Sequence, residues 1–186
     1  MIPLEFLHYR TVEKIGEGPS GVVYNAWDTQ QHRPVVIKIL RDTLEASVVT
    51  SIRSTLNNLK HSEHRNICRV FNMGKNERGY FIVSEQIIGQ NLQEILNDEN
   101  SHKIHFIDFA VQFSEGLQYL HKNNIIHGNL KPSNIFLTPE GEVKITDAGL
   151  SVIKNFPHRA ELEIPLDEHI DFVIKAMLKI SDQLGL

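Results

Sequence analysis

Between Thr11 and Leu40 apolar and polar residues alternate in short runs separated by turn residues. Thr11 to Ile15 reads as a strand that ends in a glycine cluster, and Val22 to Trp27 reads as a second. Asp28 to Arg33 is polar and turn-like, and Pro34 then opens the β-branched run Val35-Val36-Ile37-Lys38-Ile39-Leu40. The period changes after that. Val48, Val49, Ile52, Leu56 and Leu59 share one face of a helix. Two more strands are predicted at Cys68 to Met73 and Tyr80 to Ser84, and Asn97 to Lys103 is a polar connector. Phe106, Ala110, Phe113, Leu117 and Leu120 repeat at helical spacing. Ile135 to Leu137 and Val143 to Thr146 form a small hairpin around Pro139-Glu140-Gly141, and a last helical pattern runs from Glu168 to Gln183. Strands therefore predominate in the first part of the chain and helices later, with a small hairpin between the last two helical patterns.

Composition narrows the function classes. The chain has 186 residues, enough for one ordinary domain or two small lobes. A formal net charge of -4 argues against a nucleic-acid partner. No stretch is apolar for long enough to span a membrane, and Met1-Ile2-Pro3-Leu4-Glu5 has neither the basic region nor the apolar core of a signal peptide. The single cysteine, Cys68, permits no internal disulfide, which fits a reduced, cytoplasmic setting. His61 and His64 with Cys68 nearby lack a second ligand pair and read as loop residues, not a metal site.

Candidate chemistry begins in the glycine cluster. Gly16-Glu17-Gly18-Pro19-Ser20-Gly21-Val22-Val23 fits G-x-G-x-x-G-x-V, a pattern that lets backbone N–H groups approach phosphates. It lies between two strand patterns, unlike a dinucleotide-binding loop, which joins a strand to a helix. A strand lysine, Lys38, follows in Val35-Val36-Ile37-Lys38. Downstream stands His127-Gly128-Asn129-Leu130-Lys131-Pro132-Ser133-Asn134, and beyond the hairpin Asp147-Ala148-Gly149. In order and spacing these parts resemble the eukaryotic-type protein kinase family, whose catalytic loop reads H-R-D-L-K-P-x-N and whose metal-binding motif reads D-F-G. The resemblance covers roughly Tyr9 to Leu178.

The resemblance implies a two-lobed α+β fold: an N-lobe over 1–86 with an antiparallel sheet and one helix, and a mainly helical C-lobe over 87–186 that stops after the family's central helix. It implies ATP and Mg²⁺ as cofactors. Gly16, Gly18 and Gly21 would cover the phosphates, and Lys38 would pair with two of them. Val23, Val36 and Phe136 would enclose the adenine. Ser84 would be the gatekeeper, with Glu85 and Ile87 in the hinge that meets the base. Lys131 would contact the transferred phosphate, and Asn134 and Asp147 would bind the metal.

The departures bear on catalysis. Asn129 occupies the base position, and an amide cannot accept the substrate proton at neutral pH. Losing a general base costs about 10²–10⁴-fold. Gly128 replaces the Arg that holds a phosphorylated activation loop, and no Ser, Thr or Tyr lies between Val152 and Ile180 to be phosphorylated. The helix after Lys38 should carry a Glu, yet no acid lies between Glu45 and Glu63. Counting from Leu56 and Leu59 puts Ile52 at that position, and counting back from His64-Arg65-Asn66-Ile67 puts Thr55 there. Ala148 replaces a Phe whose burial would contribute about 3–5 kcal/mol. Val36 stands where Ala is usual, and Phe136 where Leu is usual. Both add volume to the nucleotide slot.

The expectation is a pseudokinase that acts by binding, as a nucleotide-sensing or scaffolding module. The alternatives are a weakly active Ser/Thr kinase and a non-functional gene fragment. From Ile170 to Ile180 the last helical pattern is apolar on nearly every side. In the family, later helices would cover it, so self-association or a protein partner at 168–183 is expected.

Overall fold

The computed structural model describes residues 5–18, 20–41, 44–61, 63–98 and 106–150. These fall into two compact units. Among the described residues the first holds 5–61 and Arg69–Gln86, and the second holds Glu63–Cys68 and 87–150.

The first unit is an antiparallel sheet with one helix. Its strands are β1 (Glu5–Phe6), β2 (Tyr9–Gly18), β3 (Gly21–Asp28), β4 (Arg33–Leu40), β5 (Val70–Asn76) and β6 (Gly79–Glu85), in the spatial order β1-β2-β3-β4-β6-β5. Strand parity explains its core. Val35 and Ile37 on β4, with Phe81 and Val83 on β6, point to one face and pack with Tyr9 and Ala26. Gly74 is needed opposite Phe81, because a Cβ there would lie 2.3 Å from the ring. The turn after β3 is fixed by Asp28, which is buried and whose Oδ1 accepts from the N–H groups of Gln30 and Gln31 at 3.1 and 2.9 Å.

Helix α1 spans Ala46–Lys60 and buries Val49, Ile52, Leu56 and Leu59, the face that the sequence pattern predicts. Lys60 in its last turn complements the helix dipole. The strand expected at Cys68 to Met73 begins instead at Val70 and runs on to Asn76. Cys68 is drawn into the second unit, where its N–H donates to Ile145 O at 2.8 Å and Ile67 bridges Ile145.

In the second unit α2 (Leu92–Asn97) follows the short strand β7 (Gln90–Asn91), and α3 spans Phe106–Lys122. Strands β8 (Ile135–Leu137) and β9 (Val143–Ile145) form the predicted hairpin, with β7 on the outer edge of β8. The hairpin turn closes through Gly141 N–H donating to Thr138 O at 3.0 Å. Its seam to α3 is polar. Asn66, fully buried, donates from Nδ2 to Gln112 Oε1 at 3.1 Å and to Val143 O at 2.8 Å, while Gln112 Nε2 reaches Gly141 O at 2.8 Å. The fold is the expected α+β arrangement of a sheet with one helix followed by a mainly helical part. The expected helix at 168–183 and the segment around Ala160 lie outside the described residues.

Candidate functional site

In the first unit the register brings the glycine loop and the lysine strand together. Gly18 pairs with Gly21, and Gly16 pairs with Val23. Val23 stands opposite Lys38, and Lys38 opposite Ile82. Asn25 stands opposite Val36, and Val36 opposite Ser84. Directly opposed residues point to the same side of a sheet. Val23, Asn25, Val36, Lys38, Ile82 and Ser84 therefore share the face that the Val35–Ile37 core does not use. Lys38 is 9% exposed, so its ammonium is carried on a largely sheltered stem.

Gly21 has a structural necessity of its own. Its φ is +150°, and a Cβ would meet Ile39 O at 2.0 Å. Gly18 has nothing within 4 Å of a built Cβ, so the loop backbone there is open to approach. Glu17 lies between the loop glycines and is held by Lys14 and Arg41. Hydrogen bonding and charge from Lys14, reinforced by Arg41, keep its carboxyl below the ordinary range.

Helix α1 offers no carboxylate toward this face, since none of its 15 residues is acidic. Ile52 is 0% exposed and belongs to the packed side of the helix, while Thr55 is half-buried. Glu45, the last acid before the helix, is its N-cap residue.

In the second unit hydrogen bonds hold the loop from His127 to Asn134. His127 Nε2 lies 2.8 Å from Thr146 O. A carbonyl only accepts, so the ring proton is on Nε2, and Nδ1 accepts from Asn129 N–H at 3.2 Å. Asn134 Nδ2 donates to Asn129 O at 2.8 Å, and Thr146 N–H donates to Asn134 O at 2.9 Å. Lys131 is exposed and precedes a single 3-10 turn at Pro132–Asn134. Phe136 is half-buried on β8, opposite Asn91 and Lys144.

Asn134 is buried, and its Nδ2 is committed to the loop, which leaves Oδ1 as the oxygen it can present. Asp147 takes φ +61°, a left-handed conformation that costs energy for a residue with a Cβ. One amide oxygen and one carboxylate are the hard donors Mg²⁺ prefers, with phosphate oxygens and water completing its shell. Among the described residues no group of three or more His, Cys, Asp or Glu gathers to hold a metal by itself. Ala148, in place of the expected Phe, is buried, so the position stays interior while filling little volume.

Asn129 is 7% exposed, and among the described residues its Nδ2 has no hydrogen-bond partner. Its backbone does all the structural work just described. A side chain buried at that point can neither take a proton nor satisfy its own donor.

Sequence reasoning missed several residues that shape these surfaces. Thr146 anchors both His127 and Asn134. Asn25 lies on the same sheet face as Val36. Helix α2 was also missed, although Asn91 and Glu94 form a capping box whose N-x-x-E spacing was readable. Among the described residues no helix is long and apolar enough to cross a membrane.

A family model described as the protein kinase domain matches residues 9–162. A probable serine/threonine-protein kinase of Clostridium acetobutylicum is 32% identical over 152 residues, covering 79% of this chain and 23% of its own length. Another, from Clostridium perfringens, is 29% identical over 146 residues, covering 77% of this chain and 21% of its own length. The chain thus spans less than a quarter of the length of either relative.

Proposed function

The chain belongs to the protein kinase domain family, and from that premise we propose that it is a pseudokinase, binding Mg²⁺-ATP without transferring its phosphate. The observation that carries this is Asn129, an amide at the base position, buried and with its donor unmatched. Removing a general base costs about 10²–10⁴-fold, and an α1 without an acid removes a second element of the active arrangement.

Binding has different requirements. Lys38 would meet the nucleotide phosphates from the sheet face that also carries Val23 and Val36. Asn134 Oδ1 and the Asp147 carboxylate would take the metal, which when bound neutralises phosphate charge. Gly16, Gly18 and Gly21 would let backbone N–H groups approach the phosphates. Val36 and Phe136 add bulk where the base would lie, and Ser84 frees some space beside them. The apolar pattern at 168–183 would serve the module's contact with a protein partner or a second copy.

The test is a titration of the chain with ATP, with and without Mg²⁺, followed by thermal shift, alongside a phosphotransfer assay on generic Ser/Thr substrates. Saturable stabilisation by Mg²⁺-ATP with no transfer above a Lys38→Ala control is the expected outcome. Robust turnover lost in that control would overturn the reading. It would favour the second reading, a weakly active Ser/Thr kinase, which the names of both relatives support.

A further inference from the structure

Asn25 sits mid-strand in β3, directly opposite Glu13 on β2 and Val36 on β4. An asparagine is a poor strand former, and an apolar residue would suit a place beside Val36 better. Its amide is used at both ends. Nδ2 donates to Glu13 Oε1 at 2.9 Å, and Oδ1 accepts from Gln86 Nε2 at 2.9 Å. Gln86 is the residue just after β6 and the last of the first unit. The residue before it is fastened from the other flank. Glu85 N–H donates to Arg69 O at 2.9 Å, and Glu85 Oε1 accepts from Arg69 N–H at 3.0 Å. The chain leaving β6 is therefore held on both sides, where a strand end would ordinarily fray.

We infer that Asn25 is a positioning residue for the nucleobase. Its bridge from Glu13 to Gln86 fixes the backbone at Glu85 and Gln86, in the hinge where main-chain groups of Glu85 and Ile87 would read the base edge. This rests on the nucleotide-binding reading above. The bridge acts on the base and leaves the triphosphate alone, because none of its three side chains belongs to the glycine loop or to the lysine strand. Breaking it should weaken binding of an adenine nucleotide and spare binding of a bare polyphosphate.

The experiment compares the wild type with Asn25→Leu, Gln86→Leu and the double variant, measuring equilibrium binding of Mg²⁺-ATP and of Mg²⁺-tripolyphosphate. Each single change should weaken ATP binding about five- to twentyfold and leave tripolyphosphate within about twofold. The double variant should be no weaker than the weaker single, since both changes break one bridge. Equal losses on both ligands, additive losses, or no loss would overturn the inference. Circular dichroism melts check folding, and if Asn25→Leu does not fold, Gln86→Leu at the strand end carries the same comparison. If the wild type binds no ATP, the nucleotide reading fails. The bridge is then tested by amide hydrogen exchange, where Asn25→Leu should speed exchange at Glu85 and Gln86 about tenfold without changing Val83. Unchanged exchange there would overturn it.

Discussion

Replacing Asn129 by Ala separates a side chain that supports the fold from one that merely occupies a place in it. The loop bonds at this residue run through its backbone, N–H to His127 Nδ1 and C=O from Asn134 Nδ2, and they survive the change. What is lost is an amide whose buried Nδ2 has no acceptor among the described residues. Such a donor costs about 1–3 kcal/mol, so removing it recovers that much. Against this stands the loss of a few buried side-chain atoms and the small void they leave, about 1–2 kcal/mol. The two terms nearly cancel, and Asn129→Ala should unfold within about 1 kcal/mol of the wild type. Asn66 provides the contrast in the same unit. Its Nδ2 makes two bonds, to Gln112 Oε1 and Val143 O, while its Oδ1 has no partner among the described residues. Losing two bonds at about 1–2 kcal/mol each and leaving a small void of about 1–2 kcal/mol, less about 1–2 kcal/mol recovered from the unmatched oxygen, should make Asn66→Ala cost about 2–4 kcal/mol. Urea unfolding of both variants measures the difference, and phosphotransfer by Asn129→Ala should equal the wild-type background. A loss above about 2 kcal/mol for Asn129→Ala would refute the reasoning, since it would reveal a partner for the amide. A drop in phosphotransfer would show that the amide takes part in chemistry.

Three further outcomes are expected. Burial holds the His64 imidazole below its ordinary pKa, partly offset by Glu115, while the ring lies tilted against Tyr119 with centroids 4.7 Å apart. The unfolded chain then takes up the proton first as pH falls below about 6.5, so this residue's contribution to stability declines through that window, and His64→Gln should flatten the decline in pH-dependent melts. If Val36 and Phe136 crowd the base, the pair Val36→Ala and Phe136→Leu should tighten ATP binding about tenfold by titration, and no gain over a wild type already in the low micromolar range would rule crowding out. Light scattering at tens of micromolar should show association that Val173→Glu or Met177→Glu reduces, and a monomer unchanged by either would remove the proposed contact surface at 168–183.

Much of the fold was readable because periodicity reports burial directly. The four buried residues of α1 follow the predicted face, and the Val35–Leu40 run is a strand whose alternate residues enter the core. The strand predicted from Cys68 was misplaced because its apolar residues serve two different units. Ile67 and Cys68 are buried by pairing with Ile145, and regular pairing with β6 begins only at Val70. Apolar content cannot tell which neighbour does the burying. The candidate site was legible as motifs, since glycines, a strand lysine and the loop from His127 carry their spacing openly. The bridge through Asn25 was not, because its partners Glu13 and Gln86 lie 12 and 61 residues away and no local pattern joins them.

The bonds of the His127–Asn134 loop bear on how the proposed pseudokinase would keep a kinase-like loop. His127 to Thr146, Asn129 to His127, Asn134 to Asn129 and Thr146 to Asn134 form the frame, and none of them uses the side chain of residue 128, 129 or 148. Those three positions are where the chain departs from the family's H-R-D-L-K-P-x-N and D-F-G motifs. Substitution there leaves the frame intact, so the frame's survival is no argument for turnover. It does bear on binding, because the bond from Asn134 Nδ2 to Asn129 O is what leaves the Asn134 oxygen to be presented. On the proposed reading, a function that depends on where the loop would hold metal ligands would outlast one that depends on a carboxylate at position 129. Restoring that carboxylate alone, as Asn129→Asp, should not restore phosphotransfer while α1 carries no acid and Ala148 fills the place of a ring.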